Sequence, residues 1–310
     1  MSSIHTASWR LTGFVLSAAG AMLFAIKGVL IKLIYAYPIG ATALLGVRMA
    51  LSLPVFLLVW LVEWRRRPPE RRPDAGTVGL AALVGILGYH LSSWLDFAGL
   101  ETLEAQTERL ILFTYPFLVL IFGRLLLKHP LKIHALAGAG LSYAGLAVMF
   151  GADPARLSPA MLGGALLVLG SAAAFALYQL FAREVILRCG PALFTAIAMT
   201  AAAASVINHT LLTQDVGAIF ALPGRAWMLM LAMAVFATIV PIFLMSAGTA
   251  RIGAQGTAII STVSPLVTIM LAIAVLGEPF GWAEAAGTAL VLGGVGLFTL
   301  IDSRRPTARP

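Results

Sequence analysis

Charge is what this sequence has least of. Only 11% of its 310 residues are Asp, Glu, Lys or Arg, against about 25% in soluble domains, and the mean hydropathy is +0.95. That scarcity excludes a water-soluble fold. Cysteine is nearly absent too: Cys189 has no second cysteine to pair with, so no internal disulfide forms, and no Cys or His stands at metal-ligand spacing around it. Neither a metal nor a cofactor is expected. The HExxH and GxSxG signatures of hydrolases are missing, as is the GxxxxGK[ST] phosphate loop, so ATP would have to come from another chain. "ETLEAQTER" (101 to 109) holds acids, but its gaps keep two carboxylates from standing side by side to activate a metal or water. Enzyme activity is not expected, and the loops are too short for a receptor or scaffold.

What is abundant is apolar sequence. Runs of roughly 20 residues recur along the whole length, each able to cross the hydrocarbon core as a helix. The short alternating segments of a β-barrel do not occur. The expected fold is an all-α integral membrane protein with spans near 10 to 34, 39 to 63, 76 to 98, 103 to 126, 132 to 151, 159 to 182, 191 to 213, 224 to 247, 252 to 276 and 281 to 301. "SAAGA" (17 to 21) only faintly mimics a cleavage site, so the first run reads as a retained helix. The net charge of +8 does not point to nucleic acid, because the basic residues sit in short loops beside the apolar runs. With the N-terminus inside, the inner segments hold fifteen Lys and Arg, including Arg10, "RRRPPERR" (65 to 72), Lys128, Lys132 and Arg251, and the outer loops only Arg156 and Arg225. The expected topology is N-in and C-in.

The chain also repeats itself. "EAQTERLILFTYPF" (104 to 117) aligns with "GAQGTAIISTVSPL" (253 to 266), so that Ala105-Gln106 meets Ala254-Gln255 and Pro116 meets Pro265, each 149 residues apart. At the same spacing Gly99 meets Gly248, Pro130 meets Pro279, Gly138 meets Gly287 and Gly145 meets Gly294; "FA" at 24 and 25 meets "FA" at 175 and 176 at a spacing of 151. The expectation is two five-helix repeats, 1 to 152 and 153 to 302, followed by a cytoplasmic tail, 303 to 310. Five is odd, so the second repeat enters the membrane inverted, an arrangement that secondary transporters use. Lys128-His129, inside, corresponds to Gly277-Glu278, outside.

The inverted halves, "TERLILFTYP" in the fourth span and "LGEPFGWAEAAGTALVLGGVGL" (276 to 297) across the last two resemble the drug/metabolite transporter superfamily, EamA type. The resemblance covers nearly the whole chain. It implies a multi-pass protein of a bacterial cytoplasmic membrane that acts as a monomer and exports amino acids or other small metabolites by alternating access through a central cavity. Nucleotide sugars or lipid-linked substrates, carried by relatives in the superfamily, are the alternative cargo. Small multidrug members use a membrane-embedded Glu in their first helix for proton coupling; this chain has Lys27 there, and that device does not transfer.

An ionisable group at the centre of a membrane helix costs about 2.5 to 3.5 kcal/mol on insertion scales, so each needs a partner or a wet cavity. Lys27, Lys32, Arg48 and Arg109 stand against Asp96, Glu101, Glu104 and Glu108. The spacing of Glu101, Glu104 and Glu108 places all three on one helix face. Glu108 is expected either to neutralise Arg48 or Lys27 or, with Lys27 and Arg109, to meet the ammonium and carboxylate of a zwitterionic substrate. Lys27 is the strongest candidate because it lies deepest. Pro116 and Pro265 are the expected helix breaks, with Tyr115, Ser261 and Ser264 beside them as candidate lining, although Ser more often bonds back to its own helix. His90 and Trp94, at i and i+4, share one face of the third span. Tyr178 holds the place in the second half that Lys27 holds in the first, and with Gln179 it completes the candidate substrate-binding set.

Overall fold

A computed structural model describes residues 2 to 128, 133 to 152 and 157 to 303. All regular structure among those residues is helical, with no strand: α1 (Ser2–Ile34), α2 (Ala41–Arg66), α3 (Ala75–Gly85), α4 (Ser92–Leu100), α5 (Ala105–Leu112), α6 (Tyr115–Leu127), α7 (Ile133–Gly151), α8 (Pro159–Cys189), α9 (Pro191–Thr213), α10 (Val216–Phe220), α11 (Gly224–Ala234), α12 (Val240–Ser261), α13 (Ser264–Leu271) and α14 (Trp282–Ser303). Wide π-type turns continue α3 into α4 (Ile86–Leu91), α11 into α12 (Val235–Ile239) and extend α13 (Ala272–Leu276). The first two begin 149 residues apart. Among the described residues seven spans are long and apolar enough to cross a membrane, and Leu136–Gly151, Ser264–Leu276 and Trp282–Phe298 are shorter apolar helices. His129, Pro130, Lys132, Arg156 and tail residues 304 to 310 lie outside the described residues, as do the side chains of Arg10 and Gln255.

Local chemistry sets the ends. Proline opens α8 and α9, where its missing N–H costs nothing and its fixed φ suits a first turn. Gly190, between them, takes φ 75°, a conformation in which a Cβ would clash and which glycine adopts freely. Asp215 accepts the Gly217 and Ala218 N–H groups at 2.8 and 3.3 Å and so caps the single turn of α10. Helix α12 is two helices meeting at Gly253, whose φ of 78° turns the chain where the sequence pattern places a boundary between spans.

The chain forms two compact units, each drawing on both halves of the sequence. The first comprises Met1–Val29, Glu104–Leu162 and Val240–Pro310, the second Leu30–Leu103 and Gly163–Ile239. In the first, α7 and α14 touch along their length through glycines: a Cβ on Gly138 would stand 2.6 Å from the Gly294 carbonyl, and one on Gly145 2.7 Å from that of Gly287. Ser142 Oγ donates to the Val291 carbonyl at 3.1 Å between them. At the 149-residue spacing, 138 matches 287, 142 matches 291 and 145 matches 294. The contact is therefore reciprocal, the same patch from each half, like the self-complementary face of a two-fold dimer.

A second packing motif occurs once in each unit. In the first unit α1 crosses α12 where Gly13 lies under Arg251 and Gly248 lies under Ser17. In the second unit α8 crosses α4 where Gly164 lies under Thr102 and Gly99 under Val168. The partners are equivalent under the 151- and 149-residue spacings. The rest of the second unit is held by α9, which packs on α2 and on α3, with Gly85 seated so tightly on Ala198 that a Cβ would lie 2.5 Å from its carbonyl oxygen. Tyr178, Val185, Leu193, Phe194 and Ile197 are buried in its core.

Candidate functional site

In the first unit three charged side chains gather on α1 and α5. Helix α5 has only eight residues, and its N-terminus is fixed by Glu278, whose carboxylate accepts the N–H groups of Ala105 at 2.6 Å and Gln106 at 3.1 Å. A carboxylate there also complements the helix dipole. Gln106 Nε2 adds a bond to the Pro279 carbonyl at 2.8 Å. One turn further on, Glu108 is 1% exposed and faces Lys27 of α1, Nζ to Oε1 4.0 Å. Gly28 makes room for it, since a Cβ at 28 would stand 3.4 Å from Glu108 Oε2. Arg109 reaches the other way: Nη2 donates to Ser264 Oγ at 2.8 Å and, more weakly, to the Phe24 carbonyl at 3.4 Å, while its buried Nε makes no hydrogen bond.

Both helices beside this cluster are broken. Helix α5 stops at Leu112, Phe113 and Thr114 turn with Thr114 Oγ1 bonded to the Ile111 carbonyl at 2.7 Å, and Pro116 sits in the first turn of α6. Helix α12 stops at Ser261, and Pro265 sits in the first turn of α13. The prolines thus open new helices instead of kinking continuous ones, for the same reason they open α8 and α9. Ser264 begins α13, so Arg109 carries its spare N–H to a helix N-terminus. A helix start and a guanidinium together attract an anion. Tyr115 is half-buried at the start of α6, and Ser261 bonds back to the Thr257 carbonyl at 2.9 Å, which is the helix-internal role.

The expected row of three glutamates does not form, because the chain turns between α4 and α5 and the spacing rule needs one continuous helix. Glu101 instead accepts the Ala41 N–H at 2.6 Å at the start of α2. Glu104 precedes α5 as its cap residue. Lys32 staples the same turn by donating to the carbonyls of Leu100 and Leu103 at 3.2 and 3.0 Å. Tyr35 OH donates to the Phe97 carbonyl at 2.8 Å; burial, then Glu101, then Asp96 push its phenol well above the usual range, so it stays a donor. Arg48 belongs to the second unit, 6% exposed, its Nε on Thr238 Oγ1 at 2.7 Å and its guanidinium over the Phe97 ring.

The remaining candidates lie in the second unit. Tyr178 is 8% exposed, its hydroxyl bonded to that of Tyr89 at 2.9 Å and its ring stacked between Phe175 and Phe194. Gln179 is exposed on α8. His90, in the π-type turn, bonds through Nδ1 to Ser205 Oγ at 2.8 Å and through Nε2 to Nδ1 of His209 at 3.2 Å. Trp94 donates from its indole to Thr42 Oγ1 at 2.9 Å, its ring 6.0 Å from that of His209. Sequence reasoning does not single out Ser205, His209 or Glu278 as site residues. "SVINH" (205 to 209) does carry a signal, two polar side chains one turn apart in an apolar helix. A cavity of about 310 Å³ in this unit, lined by Val47, Leu51, Leu211, Phe220 and Trp227, is apolar and contains none of the candidate residues.

Long apolar helices with a few interior charges and paired helix breaks define a polytopic membrane protein. The chain belongs to the EamA-like transporter family, whose model matches residues 11 to 151 and again 162 to 300. It is similar to "Uncharacterized transporter YcbK" of Bacillus subtilis (strain 168), 32% identical over 89% of this chain and 88% of the relative. It is also similar to "Aromatic amino acid exporter YddG" of Ancylobacter novellus, 24% identical over 71% of this chain and 75% of that one. A solved structure described as "Crystal structure of protein" shares the fold, with a TM-score of 0.63 at 19% identity, covering 96% of this chain and 98% of that one. The protein is a multi-pass transporter of the bacterial cytoplasmic membrane.

Proposed function

We propose that the protein exports amino acids, aromatic or apolar ones among them, by alternating access of two inverted five-helix repeats, 1 to 152 and 153 to 302, with both termini in the cytoplasm. The observation that carries the reading is the cluster of Lys27, Glu108 and Arg109 at the paired breaks of α5/α6 and α12/α13. A zwitterion needs one site for each sign. Glu108 suits the ammonium, and Lys27 and the unbonded Arg109 Nε suit the carboxylate, with the first turn of α13 adding its N–H groups. The twofold family match, the reciprocal α7 and α14 contact and the π-type turns 149 residues apart support the duplication. The name of the Ancylobacter relative supports the substrate class.

A large anionic cargo such as a nucleotide sugar calls for several available cations. Arg48 is committed to Thr238 and buried, which leaves Lys27 and Arg109, and the smaller zwitterion fits better. The experiment is uptake of a radiolabelled amino-acid panel into liposomes holding the purified protein. Saturable uptake of a subset, lost in a correctly inserted Lys27→Ala protein, is the expected result. Equal uptake by Lys27→Ala removes the binding assignment, and uptake of no amino acid removes the substrate class.

A further inference from the structure

The second unit holds a polar chain that the amino-acid site does not use. Ser205 Oγ, His90 Nδ1, His90 Nε2 and His209 Nδ1 are joined by hydrogen bonds of 2.8 and 3.2 Å. Two imidazoles in direct contact are an unusual choice inside an apolar bundle, where the inert solution is an aliphatic pair. The second nitrogen of His209 is neither buried nor hydrogen-bonded, so one end of the chain is open. The backbone is adapted to the pair: His90 lies in the π-type turn Ile86–Leu91, a helical irregularity that recurs at functional sites.

We propose that His90 and His209 form a proton-binding site that holds a single proton across the two rings. A proton taken up at the open Nε2 of His209 makes that ring an imidazolium, whose Nδ1–H donates to the lone pair on His90 Nε2. His90 in turn donates from Nδ1 to Ser205. Passing the proton on moves it from His209 Nδ1 to His90 Nε2, so one N–H bond breaks as another forms. Two imidazoliums 3.2 Å apart repel, so the pair takes one proton and not two. The packed elements present the following groups. Helix α2 brings Thr42 and Arg48, the π-type turn Tyr89, α4 Trp94 and Asp96, α8 Tyr178, and α9 Ser205. Of these Ser205 hydrogen-bonds His90, and the Trp94 ring lies 6.0 Å from that of His209. Arg48 and Asp96, both buried, carry opposite charges.

This inference rests on the transporter reading only for its purpose, the binding of a coupling proton; the site itself is tested without substrate. Trp94 lies against His209, and imidazolium quenches indole emission. The expected result is a pH-dependent fluorescence change that is present in the wild type and absent from Trp94→Phe. It is abolished in His209→Gln, and one-proton in amplitude. A pH-independent emission, or a titration that survives in both His209→Gln and His90→Gln, overturns the site. The second measurement follows internal pH with a dye in liposomes while an exported amino acid moves. Proton movement in the wild type and its loss in His209→Gln, with amino-acid flux retained, assigns the coupling role. Amino-acid flux without any proton movement in the wild type overturns that role. Absence of all flux is a failure of the amino-acid reading, and the fluorescence titration then still decides the proton site.

Discussion

Lys27 and Glu108 show how a charge survives in an apolar helix. Neither side chain reaches much water, 14% and 1% exposed, so each depends on the other. Removing one partner of a buried pair costs about 3 to 5 kcal/mol, whereas replacing both with apolar groups is close to neutral. Glu108→Leu should therefore lower the thermal unfolding midpoint in detergent sharply, and Lys27→Met combined with Glu108→Leu should recover most of the loss. If the pair binds substrate, the stable double variant transports nothing; transport by that variant would make the pair structural only. Charges of this kind were legible in the sequence because any ion in an apolar run stands out. The hydrogen-bonded serine and histidine of α9 were not, because one histidine in "SVINH" looks like an ordinary core residue until the opposite helix brings His90 to it.

The helices depend on close backbone approach and on caps from distant segments. Gly138 and Gly294 face each other across α7 and α14, where an added Cβ meets backbone that has nowhere to move. Gly294→Ala should destabilise by about 1 to 3 kcal/mol through overpacking. Gly140, on the exposed side of α7, is the control, because a methyl group added there would meet nothing within 4 Å. There Gly140→Ala should hold or raise the midpoint, by up to about 1 kcal/mol of helix propensity. Glu278→Ala uncaps α5 and should cost about 1 to 2 kcal/mol, measured by the same melts, with Glu278→Gln intermediate. At this scale proline was the reliable signal, marking both new helix starts. The three glutamates misled because a residue spacing fixes a face only within one helix, and the chain turns at Thr102 and Leu103 before α5 begins. Glu278 lies 173 residues from the N–H it caps, and no local pattern announces such a partner.

For the whole molecule the expected orientation is open to a direct test. In a Cys189→Ser background, Glu70→Cys lies in the basic connection between α2 and α3, and Ala221→Cys in the connection between α10 and α11; both positions are exposed. A membrane-impermeant maleimide applied to intact cells should label Ala221→Cys and spare Glu70→Cys until the cells are opened. The reverse pattern would invert the topology. The matched glycines and prolines were readable along the chain, while the compact units were not, since each gathers segments from both halves and such gathering is a property of packing, not of order along the chain. It has a consequence for synthesis. The ribosome delivers every segment of the second unit by Ile239, but α7 must wait for α14, more than a hundred residues later, before its glycine face is covered. A nascent chain therefore carries an exposed, self-complementary helix surface through most of the second half of translation, and two such chains on one polysome present each other with the same partner that α14 will later provide.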